Sequence, residues 1–247
     1  MPPARRGRDI AAARVDWPQA WRIIASRYPP IHLFERVSAN PAVWDALIAL
    51  ESATNPRLRD EIGEISLVAP ERRISGPNAS WVMASFTHLN PRGSRFSDGS
   101  WGVYYAANRI ETAIAETVHH FARLAGDSRD PPRREDMRVL VGKVRATFHD
   151  IRTLPRARRA AVLDPNSYDA SRALARGLRE TGSNGLIYQS VRHAGGRCIA
   201  AFWPDVVGIP IQERHLQYEW DGEKVARYFD YKRESWTSLQ SEMRDRS

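Results

Sequence analysis

The chain reads as a single α+β domain in which mixed and antiparallel sheet is flanked by helices. Three observations carry this reading. Helical and strand-like segments are interspersed along the 247 residues without a repeating βαβ rhythm. No linker divides the chain, and its length suffices for one sizeable core. Two strand-like segments, 185–192 and 198–203, flank the turn Ala194-Gly195-Gly196 as the arms of a hairpin do.

The elements follow in order. Residues 1–16 read as a basic, polar arm, disordered in expectation. The domain proper is expected over 17–232, and a polar tail over 233–247. Trp17 to Arg27 suits a short first helix, because Pro18 sits at an early helical position. His32 to Val37 alternates in part and reads as a strand. Pro41 to Leu50 is an amphipathic helix with Val43, Leu47 and Leu50 on one side. Residues 53–78 read mostly as loop, Ser80 to Phe86 as strand, Asn90 to Ser100 as loop and Trp101 to Ala107 as strand.

The clearest helix begins after Asn108, which pairs with Glu111 in a capping-box pattern. Ile110, Ile114, Val118 and Phe121 form its apolar stripe, and Glu116 lies off that stripe on a flank shared with Ala113 and His120. A charged loop follows at 130–135, then a β-rich stretch from Met137 to Ile151 and a helix from Ala170 to Arg179 that ends near Gly182. Trp220-Asp221-Gly222 marks a last hairpin turn.

Composition narrows the function. No run of eighteen apolar residues exists, so no membrane-spanning helix is expected. The basic start lacks the apolar core of a secretory signal, and the single cysteine, Cys198, suits a reducing compartment, so the cytoplasm is expected. A net charge of +8 fits a solvated basic surface, a phosphate-bearing substrate, an acidic partner or nucleic acid. Neither a G-x-G-x-x-G turn nor a Walker A loop is present. No H-E-x-x-H occurs, and the adjacent His119 and His120 point apart on a helix, so no metal site is expected. No G-x-S-x-G elbow supports a serine esterase.

The informative run is Arg95-Phe96-Ser97, then Gly99, Gly102, Tyr104-Tyr105-Ala106, Ala113 and Glu116. It places a cation on a turn, an aromatic ring on a strand and a carboxylate on a helix. Together they can line a small pocket for a nucleotide with a labile glycosidic bond.

These residues resemble the RES domain family, named for an arginine, a glutamate and a serine. The matching residues are Arg36, Glu116, and Ser190 within Tyr188-Gln189-Ser190-Val191-Arg192. Gly93-Ser94-Arg95-Phe96, with Gly102 to Ala106 and Ala113-x-x-Glu116, is similar to the family's G-x-R motif and its Y-x-A motif. Gly185 to Arg192 with Gly195-Gly196 resembles its C-terminal signature, so the likeness spans roughly 32–205. Ser97-Asp98 stands where many members have asparagine, and Val37 where many have an aromatic residue.

The resemblance implies a fold related to ADP-ribosyltransferase toxins and NAD as substrate. It also implies a toxin of a toxin–antitoxin pair, neutralised by an Xre-type antitoxin that supplies any contact with nucleic acid. Hydrolysis or phosphorolysis of NAD is the expected reaction. The alternative is mono-ADP-ribosylation of a cellular protein acceptor. A second alternative, from another class, is a basic nucleic-acid-binding protein without catalysis.

Candidate roles follow from the chemistry. Arg36 and Arg95 offer planar donor forks to the two pyrophosphate charges. Glu116 can orient the ribose and stabilise the positive charge that builds there as nicotinamide leaves. Tyr105 can stack on the cationic nicotinamide ring. Ser190 is a hydrogen-bonding residue rather than a nucleophile, since no base adjoins it, and His88 is a further binding candidate. Read locally, each also has a plainer meaning: a strand or helix charge for Arg36, Arg95 and Glu116, and packing for Tyr105, Ser190 and His88.

Overall fold

Two long strands carry the architecture. In the computed structural model, which describes residues 10–27, 40, 43, 44, 46 and 63–239, β1 (Ala12–Ala25) and β3 (Arg133–Asp150) run antiparallel. They pair from Ala12 opposite His149 to Ala25 opposite Met137. The register shifts between Trp17 and Ala20, where Pro18 has no N–H to give to the ladder.

Here the first expectation fails. Residues 12–16 are strand rather than arm, and 17–25 are strand rather than helix. Pro18 marks a bulge, not a helix start. Val15, Trp17, Ala20 and Ile23 are buried, and long-range pairing with β3 overrides the local signal. The strand expected at His32–Val37, Arg36 with it, and nearly all of the helix expected at Pro41–Leu50 lie outside the described residues.

The remaining strands are β2 (Tyr104–Ala107), β4 (Gly185–Gln189), β5 (Arg197–Ala201), β6 (Ile211–Trp220), β7 (Val225–Asp230) and β8 (Ser235–Ser238). The described strands form one eight-stranded sheet in the order β1-β2-β5-β4-β3-β6-β7-β8. Because β1 also pairs with β3, the five strands β1, β2, β5, β4 and β3 close into a ring. β3 makes this possible by its length: it pairs with β6 over 133–141 and with β4 at His149 and Asp150. β8 lies within the stretch expected as a polar tail, pairing Trp236 with Phe229 at the sheet's edge.

Four α-helices flank the sheet among the described residues: α1 (Ser80–Thr87), α2 (Ile110–Ser128), α3 (Arg156–Val162) and α4 (Asp169–Glu180). α3 and α4 connect β3 to a parallel β4, a crossover the sequence reading did not anticipate. α1 was expected as a strand. It buries Val82, Met83 and Phe86, and a short apolar run of this kind does not distinguish the two by periodicity. α2 has its expected stripe, with Ile114 and Phe121 buried, but Asn108 is not its cap. The Asn108 side-chain oxygen instead accepts the Arg197 N–H at 2.8 Å, extending the β2–β5 pairing.

Strand alternation divides the interior into two cores. Tyr104 and Ala106 face one, with α1, Phe148 and Ile199; Tyr105 and Ala107 face the other, with α2 and α4. The sheet is therefore covered on both faces at the point where the site forms.

Candidate active site

A cavity of about 200 Å³ lies where α2 crosses β1 and β2. The helical period brings Ala113, Glu116, Thr117 and His120 onto the one side of α2 that lines it. The strand period brings Tyr105 and Ala107 of β2, Tyr188 of β4 and Cys198 of β5 to the facing wall. Arg95, from the loop before β2, completes one edge.

Glu116 is held from below. Ser190 Oγ donates to Glu116 Oε1 at 2.6 Å. Ser190 Oγ in turn accepts the backbone N–H groups of Arg192 at 3.1 Å and His193 at 3.0 Å, which fixes its direction. The turn itself is tied to α2 by Thr112 Oγ1 and His193 Nδ1, 2.8 Å apart. Burial raises the Glu116 carboxyl above its ordinary range, while Ser190, Arg95 and Arg192 work against that rise.

Tyr105 is fixed at its far end. Its hydroxyl meets Ser94 Oγ at 2.8 Å and accepts the Phe96 N–H at 3.0 Å. Burial pushes this phenol up to about 12. Phe96, fully buried, stacks beside the Tyr105 ring with centroids 6.5 Å apart and meets the Tyr188 ring edge-on at 5.0 Å. Gly93 allows this loop its shape: its φ is +69°, and a Cβ there would sit 2.4 Å from the Ser97 carbonyl oxygen. Ser97 serves the turn by donating to the Trp101 carbonyl, and Asp98 pairs with Arg176.

Arg95 is buried and forms no ion pair with a carboxylate among the described residues. Its Nη1 donates to the Asp164 carbonyl at 2.7 Å, and its guanidinium lies 4.6 Å from the Tyr168 ring centroid.

Arg22 is the residue that sequence reasoning missed. It lines the cavity from β1. Its Nη1 donates to the Tyr105 carbonyl at 3.0 Å and its Nη2 to Ser85 Oγ at 3.0 Å, while the guanidinium stacks 4.5 Å from Tyr104. Nε is buried without a hydrogen-bond partner among the described residues, and burial lowers the group's pKa. The signal was a lone cation within Trp21-Arg22-Ile23-Ile24. It was masked by reading that segment as a helix rather than a strand with two covered faces.

His120, Tyr188 and Cys198 also line the cavity unanticipated. Burial holds the Cys198 thiol well above its usual value, so it is protonated and unreactive at neutral pH. His88 is exposed just past α1, 3.2 Å from Thr87 Oγ1, and is not among the cavity-lining residues. The described residues contain no cluster of three His, Cys, Asp or Glu side chains arranged to hold a metal ion, and no helix long and apolar enough to cross a membrane.

The family model of the RES domain matches residues 70–221. The chain belongs to the RES domain family. Arg95, Tyr105, Glu116 and Ser190 fall within the matched RES span, whereas Arg22 and Arg36 precede it. The chain is 31% identical over 211 residues to the protein y4oC of Sinorhizobium fredii, covering 85% of this chain and 86% of that one. Among solved structures it resembles the M. tuberculosis MbcT–MbcA toxin–antitoxin complex, with a TM-score of 0.40 and 11% identity over 85% of this chain and 87% of that one.

Proposed function

We propose that this RES domain protein cleaves the nicotinamide–ribose bond of NAD and acts as the toxin of a toxin–antitoxin pair. One observation carries the reading: a carboxylate, Glu116, oriented by Ser190 at 2.6 Å inside a cavity that also holds Tyr105, Arg22 and Arg95. Departure of nicotinamide builds positive charge on the ribose. A fixed, partly desolvated carboxylate stabilises that charge without reorganising. Nicotinamide leaves as a neutral molecule from a cationic ring, so the step needs no general acid.

The cavity of about 200 Å³ is smaller than the roughly 300–1,000 Å³ usual for ligand sites. It suits the nicotinamide–ribose end of the dinucleotide, with the phosphates toward Arg95 and Arg22. Tyr105 offers a ring face to the cationic nicotinamide. A partner with an Xre-type domain, binding over the cavity, is the expected antitoxin; the family resemblance supports it.

The test is NAD consumption by purified protein, with and without phosphate and with and without cell extract. The expected result is loss of NAD in the absence of other proteins, with phosphate stimulating it if phosphorolysis is the route. Loss only with extract, and label on one protein band, would replace this reading with ADP-ribosylation of a protein.

A further inference from the structure

Tyr168, the residue before α4, is surrounded by cations. The guanidiniums of Arg95, Arg123 and Arg172 lie 4.6, 5.6 and 5.7 Å from its ring centroid. Arg192 reaches the same loop, its Nη2 donating to the Pro165 carbonyl at 3.2 Å. Arg95 is buried and Arg172 and Arg192 are half-buried, so water screens this charge less than it would on an open surface.

None of the four has a carboxylate partner among the described residues. Arg95 and Arg192 are satisfied by the carbonyls of Asp164 and Pro165, and Arg172 by those of Ser94 at 3.0 Å and Arg92 at 2.9 Å. Two carboxylates act on the cluster without forming an ion pair with it: Glu116 on Arg95 and Arg192, and Asp164 on Arg95. Glu116 is engaged by Ser190, and Asp164 Oδ1 accepts the N–H groups of Asn166 at 2.7 Å and Ser167 at 3.0 Å. Four guanidiniums gathered around one aromatic ring, bonded directly to neutral carbonyls and opposed by only these two carboxylates, leave a net positive charge that opposes folding. Such an arrangement is explained when an anion completes it.

We propose that Arg95, Arg123, Arg172 and Arg192, grouped around Tyr168, form a phosphate-binding subsite continuous with the cavity through Arg95. Its ligand is a pyrophosphate or phosphate group, which takes the guanidinium donors now turned to the 164–165 carbonyls. Guanidinium forks match phosphoryl oxygens bidentately, and backbone carbonyls are the weaker acceptors. The depressed pKa of His119, to about 4, reports the same field: after burial its causes are Arg192, Arg123 and Arg95. The identity of the natural ligand rests on the NAD reading; the existence of the subsite does not.

The test is titration of the folded protein with inorganic pyrophosphate, inorganic phosphate and ADP-ribose by calorimetry. Arg123→Gln and Arg192→Gln are compared with Arg145→Gln, which removes the same charge from an exposed position on β3 paired with Asp16. Arg123 makes no hydrogen bond to the rest of the described fold, so its variant leaves folding intact; circular dichroism checks this for all three. Pyrophosphate affinity should fall roughly tenfold or more in the first two and stay within about twofold in the third. Tighter binding of ADP-ribose than of the inorganic ions assigns the subsite to the dinucleotide, and the reverse assigns it to free phosphate. Pyrophosphate binding of this pattern in a protein that does not consume NAD would leave the subsite standing and remove the cleavage reading. Absence of pyrophosphate binding, or equal losses in all three variants, overturns the subsite.

Discussion

Ser190 Oγ donates to Glu116 Oε1 at 2.6 Å while accepting two backbone N–H groups from its own turn. The serine is thus a fixed donor, and the glutamate's position on α2 is set from β4 rather than from the helix. This separates what each residue does, and the two are distinguishable by mutation.

Glu116→Gln preserves shape and the acceptor for Ser190 but removes the charge. Turnover of NAD should fall by roughly 10²-fold or more with binding retained. Stability should move the other way. The folded carboxyl has a raised pKa, so it binds its proton more tightly in the fold than in the unfolded chain, and ionising it costs stability. That cost is fully present above the raised value and absent below the ordinary glutamate range. The variant should therefore unfold at a higher temperature than wild type at pH 7.5, with the difference closing in acid. Wild-type turnover in the variant would reduce Glu116 to a helix residue.

Ser190→Ala should leave NAD binding nearly intact and lower kcat by about tenfold, the scale of one hydrogen bond to a charged group. It also removes an interaction that holds the Glu116 pKa down. The acid limb of kcat/KM, which reports ionisation of Glu116, should shift to higher pH. A profile superimposable on wild type would show that Ser190 acts only in the turn.

Arg22→Gln and Arg95→Gln should each weaken NAD binding by about 1.5–3 kcal/mol, since each removes a cavity cation with no carboxylate partner among the described residues. Calorimetry showing wild-type affinity in both would remove the arginines from the site. Arg22→Gln should also loosen β2, because Tyr105 loses the donor to its carbonyl.

Expression of the wild-type chain alone should arrest bacterial growth, whereas Glu116→Gln expressed to the same soluble level should be tolerated. Normal growth with abundant folded wild type would count against a toxin.

The sequence made the hairpins of the late half legible, because their signals are local, but not the crossover through α3 and α4 or the edge strand β8. The Ala194-Gly195-Gly196 turn marks the β4–β5 hairpin, and Trp220-Asp221-Gly222 marks the β6–β7 turn. The early half depends on contacts that local reading does not contain. Trp17 to Ala25 is strand because β3, more than a hundred residues later, pairs with it. Val82, Met83 and Phe86 form a helix because a core waits beneath one side of it. In the site, Arg95, Tyr105, Glu116 and Ser190 were legible as a motif, and the structure brings them around one cavity wall and its support. Arg22 was not, because its meaning depends on which neighbours β1 acquires.

The strand ring is fastened unevenly. β1 and β3 share a long ladder, but β1 and β2 are joined at the single pair Trp21 and Ala107. The cavity lies along that thin join, with Arg22 reaching across it to the Tyr105 carbonyl. Widening the cavity for a bulky ligand means parting one clasp and one side-chain bond, while every long ladder stays buttoned. The ring therefore gives way first along this join, and hydrogen exchange should find its fastest sheet amides there, at Tyr105 and Ala107, whose N–H groups face β1, rather than in β3 or at Ala106, which faces β5.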